Sequence, residues 1–261
     1  MIKFFRHIRQ NILMENKTGK PALPAGRYLK YAIGEIILVV IGILIALQIN
    51  NWNEERKELK RSKDFLTEFK KDLEKDTLGM NRVIKLVKKR IEIEKWALQR
   101  INYTPTQVDS LHSAIYTNYF NWNIETRTLR KIENAGITGL KGYDSIFNAL
   151  SYYYDITNYL LNYSNNEDKE KVRDGLLLLE PLKDVVEIKG GNLPWEELDS
   201  FPTITSSDDR NDLLIKFGTS VRGRNLLREQ YLRHLKLLEK FQSVKKQATL
   251  LIKSIEKELG K

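Results

Sequence analysis

The run Tyr31 to Ile49, YAIGEIILVVIGILIALQI, constrains this chain more than any other stretch. Its uninterrupted core, Ile36 to Leu47, holds ten Ile, Leu or Val among 12 residues. A core of that length alone would suit a buried helix or the centre of a signal peptide. As a helix, however, the whole run reaches about 28 Å, close to the hydrocarbon thickness of a bilayer. Tyr28, Tyr31 and Trp52 bracket it where interfacial aromatics belong. The core contributes about −3 to −6 kcal/mol on the insertion scale, against roughly +3 kcal/mol for Glu35 if it sat at mid-bilayer. Glu35 lies one turn from the end and can snorkel, so the balance favours insertion, and residues 28–50 are expected to span a membrane.

A cleaved leader is the rival reading. Its charged region would be unusually long, and Ala46-Leu47-Gln48-Ile49 does not supply a small-x-small cleavage site. An uncleaved signal anchor is therefore expected. Within it, Gly34, Gly42 and Ala46 share one face and form the candidate helix–helix contact in the membrane. Glycine and alanine are also simply common in spans, and that explanation ranks first.

Charge sets the orientation. Residues 1–30 carry seven Lys or Arg and one acid, a net +6, whereas residues 50–261 add only +5. A basic arm ahead of an apolar run points to membrane topology before nucleic acid. The expected arrangement is a basic cytoplasmic arm, 1–27, in the cell inner membrane, with residues 51–261 periplasmic. Arg56, Lys57, Lys60, Arg61 and Lys63 soften the asymmetry.

The remainder reads as all-α, a bundle of long antiparallel helices. From Asn50 to about Asn102 the pattern is helical, with Leu59, Leu66, Leu73, Met80 and Val87 at heptad spacing and Phe69 and Val83 as companions. Asp76 and Arg90 fall on the same stripe, and Thr77-Leu78-Gly79 interrupts it. A dimeric coiled-coil stalk is one reading. A long helix packing on its own domain is favoured, because polar seam residues weaken a dedicated zipper. Pro105 stops this helix. Shorter helices are expected over Gln107–Tyr119 and Thr126–Asn134, with a loop at Phe120–Asn123. The Gly136, Gly139, Gly142 spacing is better read as helix capping at Ala135-Gly136 than as a phosphate loop, since no strand precedes it.

Tyr143 to Tyr163 carries Ile146, Phe147, Leu150, Tyr154 and Leu161 at helical spacing, with the remaining tyrosines at its margins. Core and rim packing is favoured over an aromatic binding groove. Asn165 to Asp168 is expected to cap a further helix that ends before Pro181. Gly190 to Ser207 reads as the longest irregular stretch, with Glu196, Glu197, Asp199, Asp208 and Asp209 around it. The last helix, Ser220 to Leu259, spans about 60 Å and should pair antiparallel with the helix leaving the membrane. Its buried side is expected to hold Leu226, Leu227, Leu235, Leu238, Phe241, Val244, Leu250, Leu251 and Ile255, with His234 on the surface.

The segments MIKFFRHIRQNILMENK and YLKYAIGEIILVVIGILIALQINNWNEERKE closely resemble a family of uncharacterised single-pass membrane proteins common in Bacteroidota, a domain of unknown function. TRTLRKIENAGITGL and ALSYYYDITNY are similar to that family's helix-turn-helix element, while the insert TGKPALPAG departs from its shorter arm. The resemblance implies an inner-membrane anchor with a helical domain outside and supplies no catalytic residue.

The chain lacks cysteine, and His7, His112 and His234 are far apart in sequence, which leaves no disulfide framework or thiolate site and little material for a metal centre. No catalytic residue, metal or cofactor is assigned. The leading expectation is a non-enzymatic envelope protein whose partners are the lipid bilayer and an envelope protein or a second copy of the chain, with no nucleic acid. A sensory domain comes second, weakened by the short cytoplasmic arm. A hydrolase using the acidic loop near Glu196 comes third, since nothing in the spacing makes those carboxylates share a cleft.

Overall fold

The computed structural model describes residues 25–187 and 200–260, with the backbone alone for 25–31. The described residues form six α-helices: α1 Ala25–Leu98, α2 Val108–Ile115, α3 Arg127–Asn134, α4 Asp144–Leu177, α5 Ser207–Thr219 and α6 Val221–Leu259. Two 3₁₀ turns, Pro105–Gln107 and Glu180–Asp184, join them, and no strand occurs among the described residues. The chain divides into two compact units, Met1–Glu58 and Leu59–Lys261.

The second unit is built on three long helices. Lys70 meets Glu256 at 2.8 Å, His234 meets Glu94, and Arg224 donates to the carbonyls of Ala97, Leu98 and Arg100. Falling numbers against rising ones make α6 antiparallel to α1, as expected. Arg233 with Asp168 and Lys240 with Ser164 make α4 antiparallel to α6 in the same way. The heptad stripe of α1 is therefore covered by its own chain. Leu66, Phe69, Leu73, Met80, Val83 and Val87 pack with Leu150, Tyr154 and Leu161 of α4 and Phe241, Val244 and Ile255 of α6. Each fully buried side chain of this size contributes about 1.5–3 kcal/mol. A second core gathers Leu111 and Ile115 of α2, Leu214 and Phe217 of α5, and Leu226 and Leu227 of α6.

Local signals account for the helix ends. Gly136 has φ +64°, and Ile137 N–H returns to the Ile132 carbonyl, so α3 closes with the left-handed cap that glycine favours. Ser206 and Asp209 form a capping box for α5, and the Ser220 hydroxyl accepts the Gly223 N–H at the start of α6.

Four expectations are corrected. Asn165–Asp168 caps nothing, because α4 runs unbroken through these residues and their side chains reach across to another segment. Tyr153 lies in the core rather than at its margin, next to Tyr154 on the face that meets α1. Leu235 and Leu250 are exposed on α6, whose buried stripe instead takes Gln230, His234, Leu237 and Ala248. His234 is fully buried, since it falls one turn from both Gln230 and Leu237 on that stripe. Of the acids around the irregular stretch, Asp208 and Asp209 sit in the first turn of α5, whereas Glu196, Glu197 and Asp199 lie outside the described residues.

Candidate functional site

Three features outside ordinary core packing are candidates: an uncovered apolar helix, a set of buried polar groups, and an aromatic face. The first is the amino-terminal part of α1. From Ile33 to Ile49 every Ile, Leu and Val is 46–62% exposed. Leaving these twelve side chains in water forgoes roughly 18–36 kcal/mol, more than the whole net stability of a typical domain. This stretch is long and apolar enough to cross a membrane, and none of it is buried within the chain. Trp52 is exposed just beyond it, with the Arg56 guanidinium 5.7 Å from its ring. Gly34, Gly42 and Ala46 are exposed on the same helix, with open space where a Cβ would stand on either glycine. Tyr28 and Tyr31 lie on the helix, but their side chains are outside the described residues.

The second is a set of carboxylates on the buried faces of α1 and α4. Asp76 and Asp168 hold the connection between α2 and α3, residues 116–126, which has no regular structure, and Asp72 holds the first turn of α3 just after it. Asp72 accepts from the Thr128 N–H and hydroxyl and pairs with Arg127 at 3.1 Å. Asp76 accepts the Glu125 N–H at 2.8 Å, and Asp168 accepts the Phe120 N–H at 2.6 Å. Asn165 both donates to the Trp122 carbonyl and accepts its N–H. A connection this long buries backbone that cannot satisfy itself, and these side chains supply its missing partners. The polar residues that interrupt the heptad stripe are thus clamps for a loop.

Glu94 and His234 join Asp168 through Arg233 in a network separate from Asp72 and Asp76, which lie about 27–33 Å away along α1. His234 Nδ1 lies 2.7 Å from Glu94, and an Arg233 N–H reaches its Nε2 at 2.9 Å. Arg233 can only donate, so Nε2 accepts and the proton sits on Nδ1, facing the carboxylate. Burial holds the imidazole pKa below its usual value, helped by the charges of Arg233 and Arg90 and opposed by Glu94. With Nε2 capped by a cation, the ring orients Arg233 toward Asp168 and Thr117 and has no open nitrogen for proton transfer. Asp76 behaves oppositely. Burial raises its carboxyl to about 7, against the lowering effect of the Glu125 N–H and the neighbouring Tyr153 hydroxyl.

The third feature is the outward face of α4. Tyr152, Tyr159 and Tyr163 are 68%, 69% and 59% exposed, with Ile156 and Leu160 between them. The expectation that these tyrosines form margins of the buried face is met only by their position on the helix, because they point away from the core. Among the described residues, no group of His, Asp and Glu is arranged to hold a metal ion.

Residues 35–175 match the model of a family of unknown function, DUF6090. The chain belongs to this family. No curated protein and no solved structure matches it. The DUF6090 region begins at Glu35 inside the apolar helix and ends at Gly175 near the end of α4. It therefore takes in the apolar run, the heptad stripe, the clamped loop and the tyrosine face, while α5 and α6 lie beyond it. The sequence reading missed the buried carboxylate Asp72 and the separate network of Glu94, His234 and Asp168. The available signal was the placing of Asp72 and Asp76 one turn apart on an apolar stripe, a pattern that needs buried donors opposite.

Proposed function

We propose that this DUF6090 protein is a single-pass membrane protein in which residues 28–50 form an uncleaved anchor. The basic arm, 1–27, remains in the cytoplasm, and residues 51–261 form an extracytoplasmic, non-enzymatic binding or scaffold domain of a bacterial envelope. The observation that carries the reading is the uncovered apolar helix, Ile33 to Ile49, whose exposure in water would outweigh the stability of an ordinary domain. Unbroken helix through Ala46 to Ile49 further supports retention, because no extended segment follows the apolar core. The buried polar groups support a structural role, since the histidine is capped and the carboxylates bind backbone.

Fractionation of cells producing the full-length chain tests the anchor: the intact protein should stay with membranes after alkaline carbonate and leave them only in detergent. Recovery of uncut protein in the soluble fraction would sink the reading. For orientation, a carboxyl-terminal reporter active only outside the cytoplasm should be active.

A further inference from the structure

We propose that the groove between α1 and α6 binds a linear anionic glycan. Two acid-free windows meet there. Residues 77–91 of α1 and 240–255 of α6 carry nine Lys or Arg and no Asp or Glu. The Lys70–Glu256 and Glu94–His234 pairs flank these windows at either end, so the antiparallel packing lays one against the other. Of the nine, Arg90 turns inward to Glu94 and the Ser113 carbonyl, and Lys240 reaches Ser164. The other seven have no carboxylate partner among the described residues. Solvated faces usually mix both signs, because unrelieved like charge works against the compact state. An anion laid along the windows removes that repulsion.

Between the windows lies a groove of about 460 Å³, with Lys88 of α1 on one wall and Lys245, Lys246 and Lys253 of α6 on the other. No acid lines it, so its ligand is an anion. Lys245 and Lys253 stand about 12 Å apart along α6, which strings the charges out rather than gathering them at a point. A matching ligand repeats its anionic groups. Gln242 and Thr249 lie among these lysines. The Gln242 side chain has no hydrogen bond among the described residues, and the Thr249 hydroxyl donates to the Lys245 carbonyl while its oxygen can still accept. Such neutral groups suit the hydroxyls of a sugar, which polyphosphate lacks. Ile84 and Leu250 add an apolar strip for the C–H face of a sugar ring. No aromatic side chain lines the groove, so nucleobases would find no stacking platform. A bilayer surface is too broad to enter a groove between two helices, whereas a single glycan chain fits along it. The groove belongs wholly to the unit Leu59–Lys261, so the proposed anchor bears only on where the glycan is met.

The test uses the full-length protein in nonionic detergent and a fluorescent heparin octasaccharide, with affinity read by anisotropy across a salt series. The logarithm of the affinity should fall linearly with that of the salt concentration. Lys245→Gln with Lys253→Gln should lower the affinity at least about tenfold and flatten the salt slope by about 2, one for each lysine removed. Lys88→Gln, exposed on the opposite wall, should flatten it by about 1, a readout that does not rely on substituting the half-buried Lys245. Lys169→Gln with Lys171→Gln removes the same charge from α4 and should leave the affinity within about threefold. Gln242→Ala should weaken heparin binding and leave inorganic polyphosphate unaffected. A wild type that does not bind heparin overturns the proposal. Equal losses from the groove and α4 double variants also overturn it, because net charge alone would then explain binding. Groove variants that bind like wild type place the contact on another basic surface, with the same consequence. If polyphosphate binds as tightly as heparin and Gln242→Ala changes neither, the groove takes any polyanion and the glycan assignment falls.

Discussion

Two buried titratable side chains oppose each other in the pH dependence of this fold. Asp76 has a raised carboxyl pKa of about 7, so between the usual carboxylate range and pH 7 the folded state holds a proton that the unfolded state has lost. Its contribution therefore falls as pH rises through that window, by up to about 4 kcal/mol. His234 is depressed by burial, so below about pH 6.5 the unfolded state takes the proton and stability falls as pH drops. His112, lowered by burial and by Arg210, acts in the same direction as His234. Asp76→Asn keeps the oxygen that accepts the Glu125 N–H and removes the charge. It should stabilise the protein at pH 8, gain little near pH 4, and leave a stability that declines on acidification, as measured by urea unfolding from pH 4 to 8. Gly79 makes a separate case. The Trp122 ring lies directly on its Cα, where a Cβ would have to stand. Gly79→Ala should gain about 1 kcal/mol of helix propensity yet lose more by displacing that ring, for a net loss of about 1–2 kcal/mol in the same assay. In the sequence Gly79 reads as a weak point of the helix, because nothing local reveals a ring arriving from 43 residues further on.

The helices hold together through apolar stripes and through the clamps between them, and the two kinds of contact should respond differently. Phe69 is fully buried and tilted against Tyr154 at 5.7 Å, so Phe69→Ala should cost about 3–5 kcal/mol. Asp168→Ala should cost about as much, for another reason: it strands the buried Arg233 charge and the Phe120 N–H together. Breaking the exposed Lys183–Glu180 pair should change stability by less than about 1 kcal/mol, a control within one denaturation series. Most element positions were legible: α3 and α6 begin and end within a residue of the expected limits, because capping signals are local. The break expected at Asn165–Asp168 was misplaced, because these residue types cap helices when isolated but here bind a loop that only the packed chain brings near.

At the scale of the molecule, the apolar helix and the bundle have different solvent requirements. A fragment beginning at Leu59 contains the compact second unit with both of its cores and should be soluble without detergent, helical by circular dichroism, and cooperative in unfolding. The full-length chain should require detergent under the same conditions. Aggregation of the fragment would show that the bundle depends on residues before Leu59.

The apolar run, the basic arm ahead of it, the heptad stripe of α1 and the all-α character are consequences of composition and period, which act over a turn or two and need no knowledge of what lies opposite. What covers that stripe, why Asp72, Asp76 and Glu94 interrupt it, and where His234 points are set by partners 49 to 140 residues away. A buried charge is tolerable only once its donors are in place, and those donors are positioned by the packing of α4 and α6 rather than by any local propensity.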